Sequence, residues 1–131
     1  MSTRSTVAIV NTDGSITASY VHMDGYVEGV GKTLLDHYND TRSAARVARI
    51  GYASSLAETV ALTRKGARNK EEPLHFASLH DYEVAAKHSD WEYLYLWIRR
   101  DENWRVKSLD SGSTPRWRSL STGYVLGGPI L

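Results

Sequence analysis

The sequence predicts an α+β fold: a single compact domain in which an antiparallel sheet of about five strands carries roughly two or three helices on one face. Three observations predict it. An Asp-Gly turn separates two alternating runs near the start. The apolar period switches from two to three and four at Val27. A Trp- and Tyr-rich run, 91–100, is followed by a short polar turn and a returning run. The length of 131 residues suits one domain, 1–131.

The first run, Thr6 to Asn11, is short and rich in β-formers. Asp13-Gly14 follows, a strong hairpin signal. Ser15 to His22 then alternates, with Ile16, Ala18, Tyr20 and His22 on one face and Thr17, Ser19 and Val21 on the other. The two runs predict an antiparallel hairpin.

Asp24-Gly25 breaks the second strand. Val27, Val30, Gly31, Leu34, Leu35 and Tyr38 then form one helical stripe. Asp40 or Thr41 can cap a second helix reaching Ile50, with Gly51 as its stop. Ser55 and Glu58 have the spacing of a capping box, yet Thr59 to Arg64 reads as a strand through Val60 and Leu62. The strand is the expectation here. Residues 65–73 are polar and read as an exposed loop. Leu79 to His88 reads as a short helix capped by Ser78. Trp91–Arg100 and Trp104–Leu109 predict a second hairpin, stabilised by cross-strand aromatic pairs. Arg116–Leu120 and Gly123–Leu126 suit a last edge strand or an extended tail.

Composition excludes several functions. There is no cysteine, so no disulfide, thiolate nucleophile or thiolate metal site is available. A net charge of +1 announces neither nucleic acid nor membrane. The N-terminus lacks the long apolar core of a signal peptide, and no run approaches the roughly 20 apolar residues that span a bilayer. A cytoplasmic protein is expected.

Four arrangements could carry chemistry. Gly29-Val-Gly-Lys-Thr33 suggests a phosphate loop, but Tyr26 stands where that motif needs a glycine, and the segment lies inside an apolar-periodic helix. The structural alternative is that Gly31 lets the helix pack closely on the sheet. His22, Asp24 and His37 could ligate a metal if the helix folds back, since His37 lies roughly 15 Å along it at about 1.5 Å per residue. Otherwise Asp24 serves the turn and His37 the negative end of the helix. The hairpin brings Trp97, Arg99, Arg100, Trp104, Arg105 and Lys107, with Arg116 to Arg118 and Trp117 beyond, a pattern able to stack bases. Asp90, Glu92, Asp101, Glu102 and Asp110 offset that charge, and Arg stems covering Trp faces of a half-buried hairpin are the preferred reading. Finally, the strand–turn–helix joint offers Arg4, His22, Asp24, Tyr26 and Lys32 as a binding surface. No Ser sits in a Gly-x-Ser-x-Gly elbow, and no cofactor is expected.

The opening Met1-Ser-Thr-Arg-Ser-Thr-Val-Ala, Asp13-Gly14, Tyr20-x-His22-x-Asp24-Gly25-Tyr26 and Gly31-Lys32-x-Leu34-Leu35-x-His37-Tyr38-x-Asp40 resemble a group of small uncharacterised proteins of tailed bacteriophages and prophages. The likeness continues loosely through Ser54-Ser55-Leu56, Thr59-Val60-Ala61 and Glu92 to Leu96 with Trp104. It departs at Met23, where that group more often shows an aromatic residue, at Val27, and in the Arg-rich tail after Asp110. The resemblance implies an accessory protein made inside an infected bacterium, and carries over no catalytic residues. Non-covalent binding is then the expected activity: inhibiting a host defence or metabolic protein, or sequestering a small signalling molecule. The alternatives are nucleotide or single-stranded nucleic-acid binding by the aromatic hairpin, and a metal-dependent enzyme. Expected partners are a host bacterial protein or a nucleotide-like ligand. Pairing of the flat hairpin edge to edge would make a homo-oligomer.

Overall fold

A computed structural model describes residues 2–109 and 115–120. The expected hairpin is present. β1 (Ser5–Val10) and β2 (Ile16–Val21) pair antiparallel, with Ala8 opposite Ala18. The turn closes through Asn11 N–H to the Ser15 carbonyl, 2.8 Å, and Gly14 takes the left-handed conformation at φ +88°. Alternation along β2 holds as expected: Ile16 and Ala18 enter one core and Val21 the other.

After β2 a π-helical turn, Val27–Gly31, leads into α1 (Lys32–His37). Val27, Val30 and Leu34 of the predicted stripe are buried. Gly31 is where the turn meets the sheet. A Cβ there would lie 3.3 Å from a Leu120 methyl and 3.5 Å from the Tyr95 ring. α2 (Thr41–Ala48) starts at Asp40, whose carboxylate accepts from Ser43 N–H at 2.8 Å. Gly51 ends that segment at φ +93°, and a Cβ on it would collide with the Glu71 carbonyl.

The segment expected as a strand is a helix, α3 (Val60–Lys65). Thr59 caps it, accepting Leu62 N–H at 3.1 Å. Two apolar residues at period two are too few to decide between strand and helix, and the cap decides it. The sheet is completed instead by β3 (Tyr52–Ala53) and β4 (Leu74–Phe76), both beside β2. They are too short for any periodic signal. The polar run 65–73 contributes only the end of α3 and otherwise lacks regular structure, as expected of a loop.

α4 (Leu79–Lys87) has the predicted Ser78 cap, with Asp81 N–H donating to its hydroxyl at 3.2 Å. β5 (Tyr93–Ile98) and β6 (Asn103–Ser108) form the second hairpin, and β7 (Arg118–Ser119) pairs with β6 at Arg105 and Val106. The possible strand at Gly123–Leu126 lies outside the described residues.

Two features of the predicted sheet are corrected. It is mixed, not antiparallel, because β5 lies parallel to β1. It has seven strands among the described residues, in the order β3-β2-β1-β5-β6-β7 with β4 also on β2. β1 thus sits centrally, and its residues from Ser5 to Ile9 are all buried. The helices also divide between both faces rather than one. The π-turn, α1 and α2 cover Val7, Ile9, Val21, Trp97 and Trp104. α4 covers Ala8, Ile16, Ala18, Leu94 and Leu96 with Tyr82 and Ala86. A strand buried on both sides needs both layers.

Candidate functional site

The structure divides the predicted site residues among several places. Asp24, Tyr26 and Lys32 do come together. They line a groove of about 620 Å³ with Glu28, His37 and Glu58. Asp24 holds φ +60° at the turn and accepts the Tyr26 hydroxyl at 3.1 Å. That hydrogen bond raises the Tyr26 pKa, with the Asp24 charge adding to it. Lys32 donates to Asp36 at 2.6 Å, and this bond lowers the Asp36 pKa.

Arg4 and His22 do not line that groove. Arg4 pairs with Asp90 at 3.2 Å and lies 3.9 Å from Glu92. The His22 ring nitrogens face the Tyr20 hydroxyl at 3.0 Å and the Ser2 hydroxyl at 3.5 Å. His22, Asp24 and His37 are therefore not gathered as a ligand set. Among the described residues no group of three His, Asp or Glu side chains could hold a metal ion. The His22 side chain follows strand alternation to the Tyr20 side, away from the joint.

The aromatic hairpin is not a stacking platform. Trp97 and Trp104 are fully buried, edge to face at 5.3 Å. Their indole N–H groups donate to Thr41 Oγ1 at 3.0 Å and to the Tyr38 carbonyl at 3.1 Å. They anchor α1 and α2 to the sheet. Arg100 lies exposed in the turn, 3.6 Å from Asp101. Trp117 packs instead toward α4, donating to Glu83 at 3.1 Å beneath Lys107. Lys107 itself pairs with Glu83 at 2.7 Å, and Arg105 with Asp101 at 2.8 Å. The hairpin's cations thus largely bond within the fold.

A second groove, which the sequence reading missed, has the opposite character. It encloses about 580 Å³ between α2, α3 and the end of α1. Arg46 and Arg49 come from α2 and its end, and Arg64 from α3; Glu58 is the single carboxylate among the lining residues. Among the described residues, none of the three guanidinium groups has an ion pair or hydrogen bond. Tyr38 closes the floor, its hydroxyl donating to the Ala57 carbonyl at 2.7 Å, and burial raises its pKa. Among the described residues the proton of the Thr59 hydroxyl has no acceptor, since Thr59 Oγ1 only receives Leu62 N–H.

A sequence signal for this groove exists. Residues 41–70 carry seven Lys and Arg against Glu58 alone, whereas the whole chain has 16 against 15. The net charge of +1 averages this segregation away. A cation in the last turn of α2 suits the helix dipole. That accounts for Arg46 and does not account for three unpaired guanidiniums from two segments around one groove.

Comparison with protein-family models, curated proteins and solved structures found no match. No helix among the described residues is long and apolar enough to cross a membrane.

Proposed function

We propose that this protein acts by non-covalent binding, and that its ligand is anionic and seats in the α2–α3 groove. The observation that carries this reading is that Arg46, Arg49 and Arg64 surround one cavity with no ion pair among the described residues. Guanidinium groups match carboxylate and phosphate oxygens through paired N–H donors. Charges of one sign gathered in a cleft concentrate ligands of the other sign. The bacteriophage resemblance sets the binder in the cytoplasm of an infected bacterium. There it would sequester a small signalling molecule or cover an anionic site of a host protein.

The test is retention on an immobilised sulfated polyanion in a salt gradient. A chain of net charge +1 is retained only through a local patch. Wild type should be retained, and Arg46→Gln/Arg49→Gln/Arg64→Gln should elute at clearly lower salt. The control Arg100→Gln/Arg116→Gln/Arg118→Gln removes equal charge elsewhere and should elute with wild type. Equal losses in both triple variants, or no retention of wild type, would remove the reading.

A further inference from the structure

The two grooves are neighbours of opposite charge. Both are lined by His37 and Glu58, and α3 stands between them. Their volumes, about 580 and 620 Å³, each fall in the range of small-molecule sites, roughly 300–1,000 Å³. The basic groove offers cations, the Thr59 hydroxyl and the His37 imidazole, but its one tyrosine, Tyr38, is only 2% exposed. The acidic groove offers what the basic one lacks. Tyr26 is 39% and Leu62 52% exposed there, with Leu56 beside them. Glu28 and Glu58 have no hydrogen bond or ion pair among the described residues, so they are open acceptors for N–H donors.

Resting on the basic-groove reading above, we propose that the ligand is a nucleoside diphosphate. Its linked phosphates are held by Arg46, Arg49 and Arg64, and its base lies in the adjoining groove against Tyr26 and Leu62. Glu28, which lines the acidic groove and not the basic one, fixes the orientation, since it accepts N–H groups of a base and repels phosphate. The same repulsion disfavours a longer nucleic acid. A strand needs a continuous basic track with stacking rings along it, and here the track turns acidic within one groove's length.

Isothermal titration of the intact chain tests this, with inorganic pyrophosphate and the adenine, guanine, cytosine and uracil nucleoside diphosphates as probes. Pyrophosphate should bind one to one, and at least one nucleoside diphosphate roughly tenfold tighter or more. Arg46→Gln/Arg64→Gln should weaken both probes by roughly tenfold or more. Tyr26→Ala/Leu62→Ala, at two exposed positions, should bring the nucleoside diphosphate down to the pyrophosphate level and leave pyrophosphate unchanged. Equal binding of pyrophosphate and every nucleoside diphosphate would overturn the role of the acidic groove. Tighter binding of an oligothymidylate would replace the ligand class with nucleic acid. Absence of heat with every probe would overturn the proposal. The basic-groove reading would survive that result if polyanion retention still depended on the three arginines.

Discussion

Replacing Thr63 with Val should loosen α3 while leaving the sheet intact. Thr63 is 1% exposed and is the buried residue of α3. Its hydroxyl donates to the Thr59 carbonyl at 2.8 Å and accepts Ala57 N–H at 2.9 Å. It therefore ties the helix to the loop before it. Tyr38 holds the same loop through the Ala57 carbonyl, and Val60 adds a half-buried contact. Valine keeps the shape and removes both bonds, stranding the Ala57 N–H. Losing the pair costs about 1–2 kcal/mol, which is about a 5- to 30-fold change in an opening equilibrium. Local opening of α3 needs no strand to separate, so the loss should stay local. Amide hydrogen exchange by NMR reads it directly. The Thr63 and Gly66 amides, bonded to Thr59 and Leu62 carbonyls, should exchange about 5- to 30-fold faster. The β5 amides should not change, and Thr63→Ser should restore most of the protection. Equal acceleration in β5, or an unchanged α3, would refute the idea that this hydroxyl is the hinge pin of the groove wall. Because Arg64 rides on α3, the same variant should also weaken retention on a polyanion.

Trp104→Ala should cost about 3–5 kcal/mol in urea unfolding, because the ring is fully buried against Trp97 and bonded to Tyr38; near wild-type stability would contradict its core role. Acrylamide should quench Trp91 and Trp117, both half-buried, far more than Trp97 and Trp104, which single-Trp variants can read. Burial raises the Tyr82 pKa, only partly offset by its bond to Thr6 at 2.6 Å. Its stabilising contribution is fully present below the unfolded value of about 10 and is lost as pH climbs above it; Tyr82→Phe should flatten the alkaline fall in melting temperature. Burial of Glu83 raises its pKa, but the Lys107 and Trp117 bonds outweigh this and leave it lowered. That contribution is present above the unfolded value of about 4.3 and is lost as pH falls through the lower folded value. Glu83→Gln should therefore be less stable than wild type at neutral pH and converge with it in acid.

The sequence by itself determined the elements whose causes are local. The Asp13-Gly14 turn, the Asp40 and Ser78 caps and the alternation from Ile16 to Val21 each act within a few residues. The first hairpin, α2 and α4 follow from them. α3 reads as a strand in the sequence because Val60 and Leu62 stand two apart, while the Thr59 cap that decides for the helix carries no periodic signal. Only the tertiary structure decided the parallel pairing of β1 with β5. That pairing joins residues some ninety positions apart, Ser5 with Tyr93, and no local pattern encodes it. The same long-range choice buries Trp97 and Trp104. It also makes β1 need a helix on each face. Asp24, Tyr26 and Lys32 were legible as neighbours because one turn and one helix place all three along one groove. Arg46, Arg49 and Arg64 were legible only as local charge. Their convergence requires α3 to be a helix that lines one groove with α2, which no pattern along the chain encodes.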